Sequence, residues 1–452
     1  MEICYVSMTN VQTRPSGESL AEALDRRRRE GRPVRVGLIG AGQMGTDIIV
    51  QTSLMAGIEV VAAADAIPEN VSAACKIAGG GARSPETVDD AAGVDRAVAR
   101  GRLAVGRSYR DVCGAQSVDV VIDATGNPNV GAQVALTTIG AAKHIVMMNV
   151  EADVTIGAYL ASRAAAAGVV YTLGAGDEPS ATMELVNFLR GLGYPIVAAG
   201  KGKNNAFRTD ATPDAYVEEA TRRNMNPRML VEFVDGSKTM VEMVALANAT
   251  GLVPDIPGMH GPSAPVDQLH AVFCPRDEGG LLARKGVVDF TVARGVAPGV
   301  FAVAEMRHPR LIERMSDLQL GAGPYYTFFR PYHLTSLEVP LSAAAAVLHG
   351  VSHMRPLATP VAEVGARAKR KLEPGQKLDA IGEYCYRGFA LTRTDALAQN
   401  ALPLGLAQGA TVTRRIAAGD YLTYANCAPD EKLEIVKVRH AQDDYVRMAA
   451  AA

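Results

Sequence analysis

Two lysines and two amides fall within five residues in Gly200-Lys201-Gly202-Lys203-Asn204-Asn205. The run follows the apolar stretch YPIVAAG, so it reads as the end of a buried strand. Alternation along an extended segment then sends Lys201 and Lys203 to the same side. Such an ammonium pair could hold a substrate phosphate, or stabilise an enolate or alkoxide oxygen as charge develops. The bland alternative is a solvated turn with incidental lysines. Asp177 and Glu178 follow the strand-like VVYTL and precede Pro179 at a helix start, where acidic groups complement the helix dipole or face a ligand. In Asp235-Gly236-Ser237-Lys238-Thr239, Ser237 is the expected N-cap and Lys238 falls in the first helical turn, an unfavourable place for a cation. Pairing with Glu242 four residues on, or proton donation to a substrate, would account for it.

A second constellation opens the chain's first clear strand-to-helix unit. VRVGLIG runs into Gly40-Ala41-Gly42-Gln43-Met44-Gly45, and a helical stretch begins near Thr46. Three glycines at this spacing suit a tight turn, close approach to a pyrophosphate and close helix packing, with the helix N-terminus facing the anion. Twenty residues beyond Gly45 stands Asp65, at the end of the next strand. An acidic side chain there accepts hydrogen bonds from ribose hydroxyls and repels a 2′-phosphate, which favours NAD(H) over NADP(H). Lys76 or Arg83 folding over a 2′-phosphate would reverse that preference. Thr125, Gly126 and Asn127, at a later strand end, are expected beneath the nicotinamide side of the cofactor.

The elements that must carry these groups alternate from Val34 onward between apolar β-branched runs and helical segments, the pattern of a parallel sheet with crossover helices. Strands are expected at 34–40, 59–65, 118–125, 143–149 and 169–173, with a helical excursion between Ala73 and Arg107. The fold class predicted is α/β: a Rossmann domain at 34–174 behind a helical extension at 1–33, an α+β substrate domain at 175–353, and a small all-β domain at 354–452. Helices are expected at 179–191 and 237–250. The run Arg26 to Arg29 reads as a solvated helix face.

The 46 basic and 48 acidic residues of the 452-residue chain nearly balance, giving no electrostatic ground for nucleic acid or an anionic membrane as partner. Neither a spanning apolar run nor a signal-peptide pattern is present, so a cytoplasmic protein is expected. Six cysteines, Cys4 among them, lack the spacing of a zinc site and read as reduced, mostly buried thiols. His260, His270, His308, His333 and His353 show no metal spacing and read as loop or core residues. Arg330 and Tyr332 could close over an anionic substrate, or simply end an exposed strand.

The order VGLIGAGQMG, VVIDATGNP, IVMMNVEAD resembles the cofactor domain of the homoserine dehydrogenase superfamily. At finer grain, the segments 174–179, 200–205 and 235–239 with the β-rich tail are similar to the 1-deoxy-D-xylulose 5-phosphate reductoisomerase-like (DRL) family, and the tail resembles a SAF or β-clip domain. The superfamily resemblance implies that Asn149 and Glu151 lie near the nicotinamide. The reductoisomerase resemblance implies a divalent cation, Mg or Mn, held by Asp177 and Glu178, although the usual Asp-x-Glu spacing is absent. It also implies conversion of 1-deoxy-D-xylulose 5-phosphate to 2-C-methyl-D-erythritol 4-phosphate with NADPH, a step of isoprenoid biosynthesis, and a homo-oligomer.

The expected activity is therefore that of an NAD(P)-dependent oxidoreductase acting on a sugar phosphate. The alternative is a dehydrogenase or oxidoisomerase of another sugar, polyol or hydroxy acid. A non-catalytic binding protein is the contrary class, against which the intact cofactor loop speaks.

Overall fold

The computed structural model describes residues 17–451; Cys4 and the rest of the first sixteen residues lie outside them. Helix α1 (Leu20–Arg29) starts at a capping box, with Ser19 and Glu22 exchanging side-chain and backbone hydrogen bonds. Its arginines pair with Glu18, Asp25 and Glu30 on the outer face. Leu24 is turned into the sheet behind it.

The first domain is a seven-stranded sheet, all parallel, in the order β3-β4-β2-β1-β5-β6-β7. Strands β1 (Val34–Ile39), β2 (Ile58–Ala64), β5 (Val120–Asp123), β6 (His144–Met147) and β7 (Tyr171–Leu173) lie within the expected runs or a residue from them. The segment expected as a helical excursion instead holds α3 (Glu69–Ala78), β3 (Pro85–Thr87), α4 (Ala91–Ala99) and β4 (Leu103–Gly106). Strand β3 is the tripeptide Pro-Glu-Thr and β4 the tetrapeptide Leu-Ala-Val-Gly, both too short to stand out as strands. Pairing makes them strands: β4 onto β2, as in Ala62 opposite Ala104, and β3 onto β4, as in Glu86 opposite Ala104. Helices α2 (Gln43–Ser53), α5 (Tyr109–Gly114), α6 (Pro128–Gly140) and α7 (Val150–Ala166) complete the crossovers. Because helices cover both faces, β1 is buried at five of six positions rather than at alternate ones.

After α8 (Glu178–Gly191) a mixed five-stranded sheet follows in the order β12-β11-β8-β10-β9, from β8 (Ile196–Gly202), β9 (Val253–Pro254), β10 (Val287–Thr291), β11 (Val300–Glu305) and β12 (Tyr325–Arg330). Helices α9 (Val217–Arg222), α10 (Pro227–Val234), α11 (Ser237–Thr250), α12 (Leu269–Val272) and α13 (Pro309–Asp317) fill its connections. Helix α11 is buried along almost its whole length, between this sheet, α8 and α7. The chain then returns to the first domain: α14 (Val339–His349) lays Val339, Ala343 and Ala344 against the same sheet face as Ile48 and Ile49 of α2.

The C-terminal part contains β13 (Ala362–Ala368), β14 (Tyr386–Thr392), β15 (Thr411–Val412), β16 (Tyr421–Leu422) and β17 (Cys427–Ala428) in two small sheets. It also carries α15 (Arg393–Ala398) and a closing helix, α16 (Glu434–Ala451), which the reading of an all-β tail did not contain. That helix buries Ile435, Val436 and Val438, packs on α6 and α7, and is fixed by Arg439 to Glu363 at 2.6 Å. No helix among the described residues is long and apolar enough to cross a membrane. Cys75, Cys113, Cys274, Cys385 and Cys427 are free and buried.

Candidate active site

The loop after β1 is shaped by its glycines. Gly40 has φ +92°, and a Cβ there would stand 2.9 Å from the Ala124 carbonyl; a Cβ on Gly45 would stand 2.1 Å from the Gly40 carbonyl. A Cβ on Gly42, by contrast, would meet nothing within 4 Å. Helix α2 begins at Gln43, three residues earlier than expected, and its N-terminal amides have no side-chain cap. These unclaimed donors beside an open glycine fit the pyrophosphate of a dinucleotide.

Asp65 turns its carboxylate inward, accepting from Ala41 N at 2.7 Å and Ile67 N at 2.8 Å. Arg83 is held by Glu59 at 2.8 Å. Asn127 caps α6 by accepting from Asn129 N and Val130 N. Asn149, 1% exposed, caps α7 and donates to the Asn127 carbonyl at 2.9 Å. Gly40, Ala41, Gly45, Asp65, Asn127 and Asn149 thus shape the loops from behind rather than lining the cavity.

Gly42, Gln43, Met44, Thr125, Gly126 and Glu151 face a cavity of about 510 Å³. The second domain supplies its opposite wall through Asp177, Glu178, Lys201, Lys203, Lys238 and Glu242, with Asn204 and Asn205 toward one side. A hydroxyl bond from Ser336 to Asp47 of α2, 2.9 Å long, pins the two walls together beside Thr335, which also lines the space.

Lys201 and Lys203 both line the cavity, yet their partners differ. Lys201 donates to Glu178 Oε1 at 2.7 Å and also to Glu242. Lys203 donates to the carbonyls of Asn205, Ala206 and Phe233 at 3.0, 3.3 and 2.6 Å. The expected phosphate clamp of two free ammonium groups is therefore not formed. Lys238 lies 3.6 Å from Glu151 and 3.8 Å from Glu242. Gly236, not Ser237, occupies the cap position of α11, with φ +87°. The Ser237 hydroxyl instead accepts from Gly388 N at 2.8 Å.

Burial and neighbouring charges divide these groups. Burial pushes Asp177 up to about 6, with Lys238 opposing and the Glu178 charge adding to the rise. Burial acts the same way on Glu178, but Lys201 and His333 outweigh it and hold that carboxyl below its ordinary range. Glu242 is raised by burial and by Glu178. Burial works against the charge on Lys201 and Lys238, yet the surrounding carboxylates raise both. Lys203, buried and close to Lys201, is lowered to about 8. Glu232, which also lines the cavity, is raised by burial to about 8, so the site holds two firm cations beside two carboxyls, Asp177 and Glu232, and one amine, Lys203, that change charge near neutrality.

Asp177, Glu178 and Glu242 can each present a carboxylate oxygen within 4.8 Å of the others, the spacing of a cation site. Lys201 already bridges two of the three. A divalent ion would have to displace that ammonium, so the residues do not fit a metal as they stand.

His333, expected as a loop or core residue, lines the cavity. Its Nδ1 meets the Pro298 carbonyl at 2.7 Å, leaving Nε2 3.5 Å from Glu178. Arg228 and Glu232 of α10, paired at 2.9 Å, also face the space and were not anticipated. Their spacing of four on an amphipathic helix was visible, but nothing marked that helix as a cavity wall. Arg330 is bound to Glu184 and Glu338 and stacks over Tyr332, away from the cavity. His260 and His353 are engaged by Asp255 and Ser342 outside it.

Residues 176–339 match the family described as oxidoreductase DRL, catalytic domain. No curated protein matches the chain. Among solved structures, an NAD binding oxidoreductase from Klebsiella pneumoniae is 19% identical, covering 40% of this chain and 45% of its own, at a TM-score of 0.28. The chain thus spans under half of that protein. Two dehydrogenases from Lactobacillus casei are covered more fully. One is a myo-inositol dehydrogenase in complex with NAD(H) and myo-inositol, 14% identical over 67% of this chain and 75% of its own, TM-score 0.36. The other is an apo scyllo-inositol dehydrogenase, 13% identical over 71% and 89%, TM-score 0.41. At such values these are distant likenesses, and the Rossmann architecture rests on the strand order of the chain itself. The segment bearing Asp177, Glu178, Lys201, Lys203, Lys238, Glu242 and His333 is the one similar to the catalytic domain of the DRL oxidoreductases.

Proposed function

We propose that the chain is an NAD(P)-dependent oxidoreductase of a small polyhydroxylated substrate, an unphosphorylated sugar, polyol or hydroxy acid, which it dehydrogenates or oxidoisomerises. One observation carries this reading: the dinucleotide-type loop at Gly42 to Met44 and the Lys201–Lys238 cluster open into the same cavity. The DRL match supports the oxidoreductase class. A bound nicotinamide cofactor supplies the hydride acceptor or donor, and Gly42, Gln43, Met44, Thr125 and Gly126 are the residues that would hold it.

Lys238, whose carboxylate contacts are the longer ones at 3.6 and 3.8 Å, keeps its positive charge and stabilises an oxygen as it becomes anionic. Asp177, poised at about 6, accepts the hydroxyl proton or returns it. His333, with Nδ1 committed to the Pro298 carbonyl, offers Nε2 to a substrate hydroxyl. Substrate phosphate is disfavoured because Lys201 and Lys203 already have partners.

The test is nucleotide binding by fluorescence, followed by NAD reduction with a panel of polyols and sugar acids. Failure to bind NADH or NADPH sinks the reading. The DRL match also favours a second reading, reductoisomerisation of 1-deoxy-D-xylulose 5-phosphate. It predicts NADPH oxidation with that substrate and inhibition by fosmidomycin.

A further inference from the structure

The C-terminal part meets the cavity wall at two places, one lining the space and one behind it. Ile381 lines it, and its carbonyl accepts from Arg228 Nη1 at 2.8 Å. Deeper in, Lys369, the residue after β13, forms an ion pair with Asp235 at 2.6 Å, the two side chains being 2% and 0% exposed. The same ammonium donates to the carbonyls of Ala211 and Glu383 at 2.9 and 2.8 Å. Asp235 accepts from Ser237 N at 2.8 Å, and the Ser237 hydroxyl accepts from Gly388 N of β14. The next residue is Lys238, whose ammonium stands between Glu151 and Glu242. The turn calls for glycine at its left-handed position: Gly236 has φ +87°, and a Cβ there would lie 2.4 Å from the Phe207 ring.

We propose that Lys369, which does not line the cavity, is a positioning residue for Lys238: it fixes Asp235 and through it the first turn of α11. The C-terminal part is then a component of the active site rather than an appended domain. The word "active" rests on the function proposed above; the positioning does not.

The experiment compares amine acetylation rates, read at each lysine by mass spectrometry, in the full-length wild type, Lys369→Met and Lys369→Arg. In Lys369→Met the rate at Lys238 is expected to rise roughly tenfold, as a locally opened turn would allow. The rate at Lys201 and the affinity for NADH stay near wild type, and Lys369→Arg restores most of the protection. Should Lys369→Met fail to fold, Asp235→Asn is measured for the same selective rise. An unchanged Lys238 rate overturns the proposal, as does an equal rise at every lysine, which would mean general loosening only. A wild type that binds no nicotinamide nucleotide refutes the proposed function while leaving the Lys238 result intact.

Discussion

Lys201 Nζ of β8 lies 2.7 Å from Glu178 Oε1 of α8, and the same ammonium meets Glu242 of α11. One cation therefore joins two carboxylates that would otherwise repel each other in a buried space.

Replacing Lys201 with Met takes the nearest cation from both carboxylates, leaving Glu178 beside His333 at 3.5 Å and Glu242 beside Lys238 at 3.8 Å. Removing one partner of a buried pair costs roughly 3–5 kcal/mol, so the melting temperature is expected to fall by several degrees. The vacated position, faced by Asp177, Glu178 and Glu242, becomes a divalent-cation site. Manganese should raise the melting temperature of Lys201→Met and leave the wild type unmoved; equal responses would refute the claim that Lys201 stands where a metal would.

Gly42 and Gly45 separate ligand space from packing. Gly42→Ala places a methyl in open space and should leave thermal stability unchanged while weakening NADH binding about tenfold or more, through lost approach to the amides. Gly45→Ala drives its methyl into the Gly40 carbonyl and should lower stability and binding together. Calorimetry and NADH fluorescence distinguish the two.

The pH profile of kcat/KM is expected to be bell-shaped. Asp177 must be ionised to take a proton, so activity is lost as pH falls through about 6. Lys203 must be charged to hold its three carbonyls, so activity is lost as pH rises through about 8. Asp177→Asn should lower kcat and abolish the acidic limb; a profile with that limb intact assigns it to another group.

Asp153, buried on α7 and bonded to the Tyr171 hydroxyl at 2.7 Å, is pushed by burial from 3.8 to about 7. The folded chain holds a proton there that the unfolded chain has released, so stability drops as pH rises through that window. The loss is bounded by about 4 kcal/mol. Asp153→Asn should flatten the dependence of melting temperature on pH between about 4 and 7, the range over which the folded and unfolded chains differ in that proton. A wild-type slope that persists in the variant excludes Asp153 as its source.

The glycine loop and the five adjacent strands β2, β1, β5, β6 and β7 were legible because turn chemistry and apolar runs are properties of neighbouring residues. Asp177, Glu178, Lys201 and Lys238 were legible as types in suggestive places, each beside a strand end or a helix start. The short strands β3 and β4 were not, because pairing of β4 onto β2 and of β3 onto β4, rather than any long apolar run of their own, makes them strands.

Local order along the chain determined that a dinucleotide-type loop exists and where acidic and basic groups cluster. Tertiary structure alone decided what those groups are to one another. Lys201 is a bridge rather than a phosphate clamp because Glu178 and Glu242, from two other helices, converge on it. His333 joins the site because the Pro298 carbonyl turns its ring toward Glu178. A buried charge takes its state from whatever the fold brings within a few ångströms, and those neighbours lie tens to hundreds of positions away in the sequence.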